Sequence, residues 1–136
     1  MRFRRKRLPP ELAAPHEAFG GVLAEVEPAK AALTEVMPTT RMPGRPFPDA
    51  LLEFEERLGR ATELMPLWRV PALSAEWDAC AAGLTEARDR ARRFREEAPD
   101  LGGFEGLIWA VEQLLDPLEP FAAAESRFGE LRRRPR

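Results

Sequence analysis

Four carboxylates are spaced so that they could hold a divalent cation. Glu53 and Glu56 lie three residues apart, as do Glu86 and Asp89. Residues at this spacing share one face of a helix, and carboxylate oxygens are preferred ligands of Mg²⁺. A magnesium ion held in this way can stabilise the charge of a phosphate group during its hydrolysis. The four acids are therefore candidate ligands of a metal site.

The two acidic pairs resemble the magnesium-binding motifs of all-helical nucleotide pyrophosphohydrolases. That resemblance implies a nucleotide-hydrolysing enzyme in which the acids meet in one cleft. The alternative is that each acid pairs with the arginine four residues after it, as in Glu53–Arg57, Glu56–Arg60, Glu86–Arg90 and Asp89–Arg93. Such pairs stabilise an exposed helix by about 0.2–0.5 kcal/mol each. We expect surface ion pairs, and we predict neither a metal nor another cofactor.

Other catalytic residue types are scarce. The chain has a single cysteine, Cys80, and a single histidine, His16, whereas zinc and di-iron sites require several such ligands. Cys80 falls among apolar residues at helical spacing, which favours a buried and inert thiol. We expect His16 at the surface. The sequence therefore predicts no catalytic residue and a protein that is not an enzyme.

Basic residues cluster at the two ends of the chain. Residues 2–7 carry five of them and residues 132–136 carry four, with no acid in either segment. The intervening body holds 12 of the 21 basic residues and all 23 acids, so its net charge is −11. Basic tails can bind nucleic-acid phosphates or an anionic surface, or they can lie against an acidic body. The candidate anion contacts are Arg4, Arg5, Lys6, Arg7, Arg132, Arg133 and Arg134, together with Arg41 and Arg45 in the loop 38–48.

A short internal repeat bears on the loop arginines. Residues 34–43 read TEVMPTTRMP, and residues 62–71 read TELMPLWRVP. The repeat predicts that two helices end in the same way, just before Pro38 and Pro66. It also places Arg41 and Arg69 at equivalent positions beyond a helix end, where a cation can bind terminal carbonyl groups. For Arg41 this is the alternative to an anion contact.

Two tryptophans are candidate contacts with another protein. Trp109 neighbours Glu105, Glu112 and Asp116 on the outer side of a predicted helix, and Trp68 lies in a connection between helices. Large aromatic rings at a surface are typical of protein interfaces. The alternative is that Trp109 covers the packing line between its own helix and a neighbouring one.

Helices position all of these residues. Apolar residues recur at alternating spacings of three and four in four segments, and no segment has the period of two that marks a strand. We predict helices over roughly 10–37, 48–65, 72–98 and 102–131. Short connections favour an antiparallel up-down-up-down four-helix bundle with heptad-like, coiled-coil packing. The bundle domain covers residues 8–131, between basic tails at residues 1–7 and 132–136.

Local features refine these helices. Pro28 predicts a bend within the first helix, and Pro117 and Pro120 predict bends within the fourth. Asp100 is a plausible cap for the first turn of the fourth helix. Gly20 and Gly21 lie inside the first helix, where glycine costs about 1 kcal/mol relative to alanine. Such a cost indicates close packing or a bend at that position.

Composition bounds the setting and the function. The chain uses 19 Arg but two Lys, one Ile and no Asn or Tyr, which favours a bacterial gene from a GC-rich genome. One cysteine cannot form an internal disulfide, and no apolar run approaches the roughly 20 residues of a membrane span, so we expect a cytoplasmic protein. The sequence favours a non-enzymatic interaction or structural protein that acts through a homodimer or a protein partner. The alternative is binding of nucleic acid or an anionic surface through the tails.

Overall fold

The computed structural model describes residues 7–132, and its regular elements there are all helical. The α-helices are α1 Ala13–Thr34, α2 Phe47–Leu64, α3 Ser74–Glu97, α4 Phe104–Leu115 and α5 Pro120–Glu130. A single 3-10 turn at Asp116–Leu118 joins α4 to α5, so these two helices form the fourth arm of the bundle. The predicted all-α four-helix bundle is confirmed.

The apolar stripes of the four arms meet in one core. Leu33 on α1, Leu58 on α2, Leu84 on α3 and Leu114 on α4 are all almost completely buried. Burial of each such side chain stabilises the fold by roughly 1.5–3 kcal/mol. Ala98 is the last residue of the predicted helix 72–98, but it is exposed and adopts a left-handed conformation that ends α3.

The fourth arm is interrupted where the sequence predicted only bends. Pro117 lacks an amide hydrogen and crowds the preceding turn, so the α-helix stops at Leu115 and a new helix begins at Pro120. The interruption packs closely on α3. A side chain at Gly83 would overlap the carbonyl oxygen of Pro117, and only glycine permits this approach.

The start of the fourth arm also differs from expectation. Asp100 does not cap the helix, because its Oδ1 accepts a hydrogen bond from the Gly102 amide at 2.9 Å. The helix begins later, at Phe104. Gly106 lies against the chain that leads into α4, since a Cβ there would overlap the carbonyl oxygen of Leu101. This turn is therefore a packed structural element.

The repeated segments end their helices in related ways. The Thr34 hydroxyl donates to the Ala31 carbonyl at 2.8 Å, and the Thr62 hydroxyl donates to the Leu58 carbonyl at 2.7 Å. Both helices end before the repeated proline, as predicted. The ends differ by two residues relative to the repeat, because α2 continues to Leu64 and is followed by a 3-10 turn.

The glycines of α1 do not mark close packing. A Cβ at Gly20 would have no neighbour within 4 Å, and one at Gly21 would make an ordinary contact of 3.6 Å with Leu64. Of the two alternatives, close packing or a bend, close packing at these positions is therefore wrong, and the bend stays a prediction. In the part of the chain that the structure describes, no helix combines the length and the apolar character needed to cross a bilayer.

Candidate functional site

The candidate metal ligand Glu53 is held by two arginines. Its carboxylate accepts hydrogen bonds from Arg57 Nε at 2.7 Å and from Arg45 Nη1 at 2.8 Å. Both bonds lower the pKa of Glu53, and the bond from Arg57 contributes most. The same contacts raise the pKa values of both guanidinium groups. Arg45, predicted as an anion contact, is therefore already paired with a carboxylate of its own chain.

The other candidate ligands point to different neighbours. Glu86 accepts a bond from Arg90 at 2.7 Å, and Arg90 in turn donates to the Gln113 carbonyl on α4 at 2.8 Å. Asp89 pairs with Arg92 at 3.1 Å, and not with the arginine four residues later.

Glu56 is the fourth candidate. Its expected partner, Arg60, instead reaches Glu25 on α1 at 3.1 Å. The acids also face different sides of the bundle. Arg57, which is bonded to Glu53, reaches Glu25 on α1, whereas Arg90, which is bonded to Glu86, reaches Gln113 on α4. Within residues 7–132, no three His, Cys, Asp or Glu side chains are grouped so that they could hold a metal ion. No three of the four candidate ligands come together in this part of the chain.

The equivalent arginines of the repeat differ in their surroundings. Arg69 stacks its guanidinium on the Trp77 ring, 4.6 Å from the centroid, where a cation–π contact stabilises it. Trp77 itself donates to the Met65 carbonyl at 2.8 Å and thereby satisfies the end of α2. Arg41 is exposed, and its backbone amide donates to the Thr39 hydroxyl at 3.3 Å. The expected binding of Arg69 to terminal carbonyls is wrong.

The predicted tail contacts lie mostly beyond the described residues. Arg7 and Arg132 are exposed. The candidates outside residues 7–132 are Arg4, Arg5, Lys6, Arg133 and Arg134. The His16 ring lies 5.1 Å from the Phe128 ring, so the first turns of α1 and the last turns of α5 come together at one end of the bundle.

Cys80 is buried in the core. Burial raises the pKa of its thiol to about 12, and a thiol that stays protonated is a poor nucleophile. The prediction that Cys80 is buried is confirmed.

Trp68 is not a surface residue. It is fully buried, and its indole nitrogen donates to the Met65 sulfur at 3.1 Å. Its ring meets the Phe19 ring edge-on at 4.8 Å. The prediction that Trp68 contacts a partner is therefore wrong, and the ring instead closes one end of the core.

Trp109 does remain open to solvent. It is 52% exposed, and its ring packs edge-on against Phe94 at 5.7 Å, while Phe94 packs edge-on against Phe47 at 5.8 Å. We call the exposed face of Trp109, with the adjoining depression of about 440 Å³ that Phe94 and Pro99 help to line, the Trp109 surface. Trp109 therefore both covers part of a neighbouring helix and offers half of its area to a contact.

We call each line along which two neighbouring arms pack a seam. Hydrogen bonds or ion pairs made by side chains cross three of the four seams. Arg57 and Arg60 reach Glu25 across the α1–α2 seam. Arg95 bonds to Glu55 across the α2–α3 seam at 3.0 Å. The seam between α3 and the fourth arm is crossed by the Arg90–Gln113 bond and by the Arg127–Glu76 pair at 3.7 Å.

The fourth seam, between α1 and the α4–α5 arm, is different. Among residues 7–132, no hydrogen bond or ion pair crosses it. Phe19 closes one end, with its ring 6.3 Å from Phe121 and 5.1 Å from Phe128. Beyond this aromatic layer lies an open groove of about 600 Å³, floored by apolar side chains that include Leu23 and Leu115.

The rim of this open groove is acidic. Glu27 pairs with Lys30 at 3.7 Å. Asp116, Glu119 and Glu125 also line the groove, and no ion pair involves them in residues 7–132. Sequence reasoning missed this feature, although a signal existed: the fourth residue after each of these three acids is Pro120, Ala123 or Gly129, and not an arginine.

Comparison with protein-family models, with curated proteins and with solved structures yields no match for this chain.

Proposed function

We propose that the protein acts by associating with a second copy of itself through the Trp109 surface, and that it catalyses no reaction. One observation carries this proposal: a tryptophan that is 52% exposed is nevertheless fixed in place by its contact with Phe94. A ring held in this way loses little further freedom when a partner covers it. Tryptophans of this kind contribute much of the binding free energy at protein interfaces.

The charges around the Trp109 surface favour a second copy as the partner. The depression is lined by two arginines and two glutamates, Arg90, Arg93, Glu86 and Glu97. A two-fold interface joins one patch to itself, so the patch must be complementary to its own rotated copy. A patch with equal numbers of acids and bases meets this requirement, because it faces its rotated copy without a net charge. Glu86 is already paired with Arg90 and Arg93 of its own chain.

The surroundings of the titratable groups support a non-enzymatic role. Glu53, Glu86 and Asp89 are each bonded to arginines and are directed to different sides of the bundle. The only thiol, that of Cys80, is buried with a raised pKa. A cytoplasmic location is part of the proposal and rests on the single cysteine, which has no partner for an internal disulfide.

Light scattering coupled to size exclusion tests this proposal. We expect twice the 15.3 kDa mass of the chain at high concentration, with dissociation on dilution. Trp109→Ala should weaken the dimer by at least about 30-fold, since loss of a central tryptophan typically costs 2 kcal/mol or more. Leu67→Ala is the matched control. Leu67 is 62% exposed, but it follows the last residue of α2, whereas Phe47, which packs against Phe94 beneath Trp109, begins that helix.

Two results would overturn the proposal. The first is a monomeric mass for the unmodified chain at every concentration up to about 1 mM, the dissociation constant that corresponds to roughly −4 kcal/mol. The second is a dimer that Trp109→Ala and Leu67→Ala weaken equally, because the contact would then lie on another surface.

A further inference from the structure

The open groove combines an apolar floor with an uncompensated acidic rim. Its floor includes Leu118 and Phe121, which are nearly buried, and Leu23 and Leu115, which are half-exposed. Ala122 projects only a methyl group into it. A small side chain at this position allows another helix to approach the arm closely.

The charges of the groove set it apart from the other three seams. There, glutamates such as Glu25 and Glu55 are matched by arginines of the neighbouring arm. Here Asp116, Glu119 and Glu125 have no basic counterpart among the described residues of the opposite helix, α1, except Lys30, which pairs with Glu27. The groove therefore carries a net negative charge beside an apolar strip.

We propose that the open groove binds a basic amphipathic helix of a partner protein. Such a helix places leucine-like side chains at positions i, i+3, i+4 and i+7 along the floor and lysines or arginines against Asp116, Glu119 and Glu125. This interaction goes beyond self-association, because it uses the side of the fourth arm that faces α1 and not the Trp109 surface.

The dimensions of the groove define the length of the bound helix. Its α1 side extends from Leu23 to Lys30, which is about 10 Å at 1.5 Å per residue. About two turns of helix span this length, so a segment of about 12 residues covers the groove and extends into solvent at its open end. The aromatic layer of Phe19 and Phe121 closes one end and fixes where the helix stops.

The probe is a fluorescein-labelled peptide of about 12 residues, with leucine on one helical face and lysine on the other. Fluorescence anisotropy with the full chain, at roughly 0.15 M salt, measures its affinity. The triple variant Asp116→Asn, Glu119→Gln, Glu125→Gln should weaken binding by about tenfold or more, or 1.4 kcal/mol. Ala122→Gln adds bulk to the floor without charge at an exposed position and should also weaken binding severalfold.

A second triple variant controls for general attraction between opposite charges. Glu63→Gln, Glu96→Gln, Glu105→Gln removes the same charge from exposed sites outside the groove, and it should change the affinity by less than about threefold. The Trp109→Ala variant should bind the peptide as the unmodified chain does. This result would show that the groove and the proposed dimer contact are separate surfaces. If the protein proves not to dimerise through the Trp109 surface, the peptide affinity should still be unchanged.

Three outcomes would overturn the proposal. The unmodified chain could fail to bind the peptide at about 1 mM. The two triple variants could weaken binding equally, which would mean that the peptide senses only the net charge. Deletion of residues 1–6, which hold four of the five basic residues at the start of the chain, could raise the affinity, which would assign the groove to the chain's own basic segment.

Discussion

Helix α1 packs against a neighbour on each side, and its two seams are built differently. On the α2 side, small buried residues such as Ala29 and Ala50 allow close packing, and Arg57 bridges Glu25 to Glu53. On the α4–α5 side, a layer of phenylalanine rings holds the helices apart, and no polar bond crosses the seam in residues 7–132.

This difference separates what stabilises the bundle from what is available for binding. Where two arms approach closely, their acids are already satisfied by arginines, and a partner would have to displace those bonds. Where large rings hold the arms apart, the remaining length of the seam stays open and its acids stay in solvent. The exposed Trp109 lies on yet another side of the fourth arm, so the arm presents two separate surfaces.

The largest expected effect on stability comes from Phe19, whose ring fills the layer between α1 and α5. Phe19 is buried and contacts Trp68, Phe121 and Phe128. Phe19→Ala should lower the free energy of unfolding by about 3–5 kcal/mol, since it leaves a cavity that the separated helices cannot fill. Urea denaturation measures the change. A loss below about 1 kcal/mol would mean that this aromatic layer does not stabilise the packing of α1 against α5.

A smaller loss is expected where α3 touches the interruption of the fourth arm. Gly83→Ala would force a methyl group against the Pro117 carbonyl and should cost about 1–3 kcal/mol through overpacking. Gly129→Ala is the control, because a Cβ at Gly129 meets no atom within 4 Å. Thermal denaturation of both variants compares them, and equal midpoints would contradict the close approach.

A gain in stability is expected on the open side of α1. Gly20 lies three residues before Leu23 and seven before Glu27, so it shares the face of α1 that borders the groove. Because a Cβ there meets nothing within 4 Å, Gly20→Ala should stabilise the fold by about 0.5–1 kcal/mol through helix propensity. Urea denaturation tests this. A destabilised variant would show that this face of α1 is covered.

The smallest expected effect on stability comes from the ion pairs at the α1–α2 seam, and it depends on pH. The pKa of Glu53 is lowered in the folded state by its bonds to Arg57 and Arg45. Its stabilisation is therefore complete above its ordinary pKa of 4.5 and is lost as the pH falls through the lower folded value.

Denaturation at a series of pH values measures this contribution. Glu53→Gln should cost roughly 0.2–1 kcal/mol at neutral pH, and it should make the loss of stability below pH 4.5 shallower. Arg57→Gln, which removes the principal donor, should act in the same direction. A variant that keeps the full acid dependence of the unmodified chain would contradict a lowered pKa at Glu53.

Helical periodicity predicted the fold because every arm buries a continuous stripe. In the first predicted helix, the eight apolar residues that recur at helical spacing are all buried: Leu12, Pro15, Phe19, Val22, Val26, Ala29, Leu33 and Val36. Prolines located the connections because a proline lacks an amide hydrogen and crowds the preceding turn, although Pro28 lies inside α1 without ending it. Periodicity could not separate two helices from one bent helix at Pro117 and Pro120, because the apolar stripe continues across the interruption.

The candidate sites were harder to predict, because exposure depends on distant parts of the chain. Trp68 and Trp109 both looked like surface rings, but Trp68 is covered by Phe19 of α1 and Phe128 of α5. Arginine partners followed local spacing for Glu53 and Glu86 and failed for Arg60, whose guanidinium crosses to Glu25 on another helix. Local spacing therefore predicted two of the four expected pairs within a helix and none of the pairs between helices.

Amide hydrogen exchange followed by mass spectrometry, at a low and a high protein concentration, tests the central claim most directly. We predict that peptides from α2 exchange slowly at both concentrations, that α5 opens more readily, and that the α4 peptide containing Trp109 becomes more protected at the high concentration. Protection that rises with concentration along the α1–α2 seam instead, or nowhere in the chain, would contradict association through the Trp109 surface.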